Sequence, residues 1–197
     1  MKKNEYWNDV ASKGAIAGVL MLASHIFELW CTQHASLGTM AAIGFEMLAV
    51  TALYIWLLWR FAKKASLRFG DETLGFSYSN GVLYVAEVAL FAGIIVGFGH
   101  YIYLHYMVGY ENYTMQMVDN MQQILYQAGG NASIPAIYDT MFATMLNRPE
   151  PGIFATILST EFSYGFWGLL IGLFIAAGVK REPKLFDNND NGEDELI

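Results

Sequence analysis

The sequence predicts an all-α fold, an integral membrane four-helix bundle with an outer amphipathic helical cap, and three observations predict it. Hydrophobic residues make up 55% of the 197 positions and charged residues 15%, against about 45–50% and about 25% in soluble globular domains. Four apolar stretches, 14–31, 40–59, 81–107 and 152–179, each hold the ~18 or more residues that cross a hydrocarbon core of about 30 Å at about 1.5 Å per residue. None alternates as a membrane β-barrel strand must, and lipid offers backbone groups no partner outside a helix or a closed barrel. Mean hydropathy of +0.32 is too apolar for a disordered chain. The single cysteine, Cys31, excludes a disulfide scaffold and a zinc-finger spacing.

The order of the elements follows from the cations. Lys2, Lys3 and Lys13 precede the first span, Arg60, Lys63, Lys64 and Arg68 separate the second from the third, and Lys180, Arg181 and Lys184 follow the fourth. Ten of the eleven basic residues therefore share one side and Arg148 stands alone on the other. The positive-inside rule makes the shared side cytoplasmic, so both termini are expected inside. Tyr6, Trp7, Trp56 and Trp59 then fall at the cytoplasmic interface, and Trp30, Tyr106 and Tyr110 at the outer one. The first span starts after thirteen residues, carries His25 and Glu28 and lacks a small-x-small cleavage pattern, which predicts an uncleaved helix.

The outer insert, 111–151, is too long for a plain loop and has helical periodicity. Tyr113, Met117, Met121, Ile124, Leu125 and Ala128 form one apolar stripe. Ser133 is expected to cap a second helix with a stripe of Ile134, Ile137, Tyr138, Met141 and Met145, stopped by Pro149 and Pro151. Such a pair reads as a cap on the bundle or membrane surface, and its methionine faces suit a partner. Asn112-Tyr-Thr and Asn131-Ala-Ser match the glycosylation sequon, which matters only in a glycosylating host.

Glycines recur four residues apart in three spans: Gly14 with Gly18, Gly93 with Gly97, and Gly168 with Gly172. In lipid that spacing permits close backbone packing, within the bundle or across a homo-oligomer. At about 100° per residue, Gly14, Gly18, His25 and Glu28 fall within roughly 80° of one another, Gly93, Gly97 and His100 within roughly 60°, and Glu161 shares the stripe of Gly168 and Gly172. With each apolar run centred on the bilayer, His25, Glu28, Glu46, His100 and Glu161 lie roughly 4–9 Å outward of the midplane, whereas Glu87 lies about 10 Å inward.

An ionised carboxylate at that depth costs at least about 2.5–3.5 kcal/mol, so these groups are expected to face the bundle interior. Three readings stay open: a hydrogen-bonded polar core, a proton or cation pathway, and a divalent transition-metal site for iron, manganese or zinc. A di-iron bundle would present two Glu-x-x-His pairs and two further Glu, whereas here His25/Glu28 is a single pair in reversed order. No other haem signal accompanies His25 and His100, His105 belongs to the interface, and no cofactor is predicted.

Residues 1–181 thus read as one four-helix membrane domain, and 182–197 as a disordered acidic cytoplasmic tail. Asp187, Asn189, Asn191 and Gly192 copy the first half of an EF-hand loop, but the chain ends before its bidentate glutamate. A net charge of −7 argues against nucleic acid as a partner.

Within Arg68–Gly81 a charged turn leads to Gly75, Phe76, Ser77, Tyr78 and Gly81, followed by an apolar helix rich in Ala and Gly. Together with Gly14/Gly18, the outer helical insert and the ending Ile175-Ala-Ala-Gly-Val-Lys-Arg181, this resembles the family called domain of unknown function 4199 over nearly the whole chain. The resemblance implies a small four-helix membrane protein of the kind found mostly in Bacteroidota, with no assigned reaction and no catalytic residues. The sequence carries no nucleotide-binding glycine loop, no Gly-x-Ser-x-Gly elbow and no His-Glu-x-x-His. It is expected to be no enzyme but an accessory or structural component of a membrane assembly, with lipid and other membrane proteins as partners. The alternative is a proton or cation pathway, or a metal site, in the Glu/His cluster.

Overall fold

The computed structural model describes residues 3–34, 36–70, 75–129 and 136–182. The elements are α1 (Lys3–Gln33), α2 (Leu37–Phe69), α3 (Tyr78–Ile102) continued by π-helical turns over Tyr103–Val108, α4 (Tyr110–Gly129), α5 (Ala136–Leu146) and α6 (Ile153–Val179). Helices α1, α2, α3 with its π-helical extension, and α6 are long and apolar enough to cross a membrane, and each overlaps one of the four expected spans, α1 starting at Lys3 rather than at Gly14. The chain is therefore an all-α membrane protein. Its basic end carries the start of α1 and the end of α6; its cap end carries α4 and α5.

Helix α2 runs well past the expected Trp59, to Phe69. The added turns are amphipathic, with Phe61, Ala62, Ala65 and Ser66 buried and Arg60, Lys63, Lys64 and Arg68 exposed. Two of those cations fold back over exposed tryptophans, Arg60 at 5.2 Å from the Trp56 ring centre and Lys63 at 5.1 Å from Trp59. Each such contact is worth about 0.5–1 kcal/mol at an exposed site.

Helix α3 is the hub. Within its most apolar window 61% of residues are buried inside the bundle, against 11% for α2. Close approach explains the difference. A Cβ on Gly14 would stand 2.4 Å from Phe91 Cβ, one on Gly93 2.8 Å from the Glu161 Cα, one on Gly97 2.8 Å from the Ile157 Cα, and one on Gly168 2.4 Å from Ala89 Cβ. Carbon atoms rest at about 3.5–4.0 Å, so only glycine fits at these contacts. All three glycine pairs of the sequence thus pack α1 and α6 onto α3 within one chain.

At the basic end the two segments that carry the family resemblance prove to be each other's partners. Gly75 adopts φ +68°, which glycine supplies without a Cβ clash. Phe76 N–H donates to the Arg181 carbonyl and Arg181 N–H to the Phe76 carbonyl, both at 3.0 Å. Ser77 caps α3 by accepting from Asn80 N–H at 3.1 Å, a contact worth about 1 kcal/mol. The Tyr78 hydroxyl donates to the Leu173 carbonyl at 2.9 Å, and Gly81 faces Ala176. Ser66 of α2 donates to the Val179 carbonyl at 2.7 Å, one of the orphan acceptors at the end of α6. Gly-Phe-Ser-Tyr is a clasp between the start of α3 and the end of α6.

The cap rests on the bundle. Asn120 of α4 donates to the Thr32 and Gln33 carbonyls at 2.9 and 3.0 Å, satisfying the end of α1. Burial on α4 centres on Thr114 and Val118, one position round from the expected stripe through Met117. Burial against Tyr103 raises the Tyr113 phenol above its ordinary value, so it stays protonated. Among the described side chains of α5 Phe142 is buried, stacked on Tyr138, while Met141 is exposed. The expected Met141/Met145 face is therefore not the one that seats α5; the larger aromatic buries more apolar surface. Ser133, Ile134, the Asn131 sequon, and the calcium-like run and most of the tail from 183 onward lie outside the described residues.

Candidate functional site

Two turns beyond Gly18, where α1 lies against Ala92 and Ile95 of α3, the helices present His25 and His100 to each other. His25 Nε2 and His100 Nδ1 are 2.6 Å apart, with ring centroids at 4.8 Å and planes at 35°. One turn along α1, Glu28 Oε2 stands 3.4 Å from His25 Nδ1, a long contact. Glu46 of α2 accepts from the Ser24 hydroxyl, and its other oxygen is buried without a partner. Glu161, half-buried on α6 behind Gly93, makes no hydrogen bond or ion pair among the described residues. The five predicted residues therefore resolve into a chain of three, His100, His25 and Glu28, with Glu46 beside it and Glu161 apart. Among the described residues no three His, Cys, Asp or Glu side chains converge as metal ligands.

The chain has definite proton arithmetic. An N–H···N bond needs one accepting nitrogen, so the two imidazoles hold at most one positive charge between them while it lasts. With Glu28 ionised, His100 Nδ1–H donates to His25 Nε2 and His25 Nδ1–H donates to Glu28, leaving His100 Nε2 as a lone pair. Carrying a proton along this row would take two transfers, from His100 to His25 and from His25 to Glu28, the second across the long 3.4 Å contact. The row terminates there, because nothing in the described hydrogen bonds carries it from Glu28 to the basic end.

A second polar cluster, missed by sequence reasoning, lies at the basic end. Tyr6 donates to Glu87 at 2.5 Å, Tyr84 donates to Asp9 at 2.6 Å, and Arg68 stands 3.6 Å from Asp9. Glu87, off the glycine face, is thus accounted for by a partner 81 residues earlier. Tyr6 packs edge-on against Trp7, Phe69 and Tyr84, so it belongs to this cluster more than to an interfacial belt. The buried core between the helices includes Ala17, Leu58, Val85, Val88 and Ala92, and with them the Tyr54 phenol, edge-on to Tyr164.

His105 is not merely wetted at the interface: the π-helical turns bring its Nδ1 to 2.6 Å from Glu150, with the ring stacked on Tyr101. Near it a cavity of about 270 Å³ with a mixed polar and apolar lining opens between α1, α3, α6 and the 148–151 connection, with His25 and His100 in its wall. A larger apolar cavity of about 440 Å³ lies between α1, α2 and α6, walled by Met21, Met47, Tyr54 and Trp167.

The family described as "Protein of unknown function (DUF4199)" matches residues 13–181, which takes in all four spans, the clasp and the cap. No curated protein and no solved structure matches the chain.

Proposed function

The chain belongs to the DUF4199 family, and from that premise we propose that it is a non-enzymatic component of a membrane assembly in a bacterial inner membrane, with termini and basic end cytoplasmic and the cap outside. The observation that supports this is the cap-end half of α2. Phe45 and Leu48 are 77% and 73% exposed, and nothing lies within 4 Å of a Cβ built on Gly44. A helix-interior glycine costs about 0.5–1 kcal/mol relative to alanine. Gly14, Gly18, Gly93, Gly97, Gly168 and Gly172 offset that cost by close packing within the chain; Gly44 does not. Another transmembrane helix, from a second copy or a partner protein, supplies the missing contact. Cysteines at Gly44 or Leu48 should then cross-link to another polypeptide in native membranes, and Gly44→Leu should cut cross-linking from Leu48 several-fold. Recovery of monomer alone over a range of linkers would remove the reading. In the same membranes an impermeant maleimide should label a cysteine at Asn112 from outside and not one at Lys64, both exposed positions; the reverse pattern inverts the orientation.

A second reading, a proton pathway, draws on the His100–His25–Glu28 row. It is half a path as it stands, because no hydrogen bond among the described residues joins Glu28 to Tyr6 and Glu87. Proton flux through sealed vesicles that Glu28→Gln abolishes would establish it; wild-type protein without flux would leave the row a polar core element.

A further inference from the structure

Arg148 is the basic residue that stood apart from all the others in the sequence, and the fold places it in the wall of the 270 Å³ cavity at the cap end. We propose that this cavity binds a small oxyanion, a carboxylate or a phosphate, with the Arg148 guanidinium as its charge partner and the His25–His100 pair at its side. This goes beyond the assembly reading and does not depend on it.

Charge is the first argument. In a chain of net charge −7 no carboxylate among the described residues lines this cavity: its polar residues are His25, His100, Arg148, Thr156, Ser159, Thr160 and Tyr164. The acids nearest in sequence and space are committed elsewhere or turned away. Glu150 is held by His105 at 2.6 Å, Glu28 meets the far nitrogen of His25, and Glu161 does not reach the cavity. Arg148 makes no ion pair among the described residues. The imidazole pair carries either no charge or one positive charge, so the enclosure is cationic in every proton state the N–H···N bond allows. A metal cation is disfavoured twice, by the guanidinium and because the facing ring nitrogens are spent on each other.

Donors and size are the second. A guanidinium presents paired N–H groups that match carboxylate and phosphate oxygens. The Ser159 and Thr160 hydroxyls both donate to the Thr156 carbonyl, at 3.0 and 2.8 Å, so either can turn to a ligand while the other keeps that carbonyl satisfied. A volume of about 270 Å³ is just below the ~300–1,000 Å³ of drug-sized sites, which limits the occupant to a few heavy atoms or to one headgroup.

The oxyanion can come from solution or from the phosphate of a lipid headgroup, and the test separates them. In maltoside micelles, inorganic phosphate and, separately, phosphatidylglycerol are titrated into full-length protein labelled with ¹⁵N at histidine. The expected result is a saturable movement of the His100 or His25 ring resonances with one of the two probes. Arg148→Gln should weaken that binding at least tenfold, and Arg148→Lys, which keeps charge but not the fork, should weaken it less. A response to phosphate identifies a solution ligand; a response to the lipid alone identifies the headgroup. No movement with either probe, or equal affinity in Arg148→Gln protein whose resonances show it folded, overturns the proposal.

Discussion

Gly168→Leu should leave no stable bundle, whereas Gly44→Leu should unfold at the wild-type temperature in detergent. The two sites carry the same residue in the same kind of helix, and they differ in what surrounds them. At Gly168 the first added carbon already stands 2.4 Å from Ala89 Cβ, more than 1 Å inside contact, and three further carbons must follow it into the α3–α6 seam. That seam is continuous: Gly81, Gly93, Gly97, Gly168 and Gly172 all lie on it, so the helices cannot part at one contact without loosening the rest. Overpacking of a well-filled core costs about 1–3 kcal/mol per site and more where backbone must move, out of a total stability of about 5–15 kcal/mol. At Gly44 nothing lies within 4 Å, and leucine is the better helix former. Thermal unfolding followed by limited proteolysis in micelles checks both; a Gly168→Leu protein that melts with the wild type would refute the hub role of α3.

The contrast also shows what was legible in the sequence. Spans, cap and glycine seams could be read because each depends on residues within one helix: length against bilayer thickness, and spacing against 3.6 residues per turn. The end of α2 was missed because hydropathy falls at Arg60 while the helix goes on by burying Phe61, Ala62 and Ala65 beneath its charges. The shared depth of five ionisable residues was a true geometric inference, but depth is not contact. Glu46 is spent on Ser24, and Glu161, half-buried against Gly93, makes no hydrogen bond or ion pair with the others among the described residues. Tyr6 with Glu87 and Asp9 with Tyr84 were invisible because no local spacing encodes a contact between helices 75 or 81 residues apart. The π-helical turns that deliver His105 to Glu150 were equally invisible, since they shift the residues after Ile102 off the 3.6 period.

His100→Leu and His25→Leu should each destabilise the protein, and the double variant should be destabilised by less than the sum of the two. Removing one ring leaves the other's nitrogen in the bundle with its partner gone, and an orphaned buried polar group costs about 1–3 kcal/mol. The side chain of His25 is 30% exposed, so water recovers part of that and the lower half of the range applies. Removing both rings together deletes the donor and the acceptor at once and leaves Glu28 as the group that lost a contact, one already long at 3.4 Å. The double variant should therefore unfold at a denaturant concentration close to that of the less stable single variant, with an interaction energy of about 0.5–3 kcal/mol between the sites. Strict additivity would mean that the 2.6 Å contact contributes nothing to stability. The row would then be retained for moving a proton, and the vesicle flux of Glu28→Gln against wild type would decide the matter.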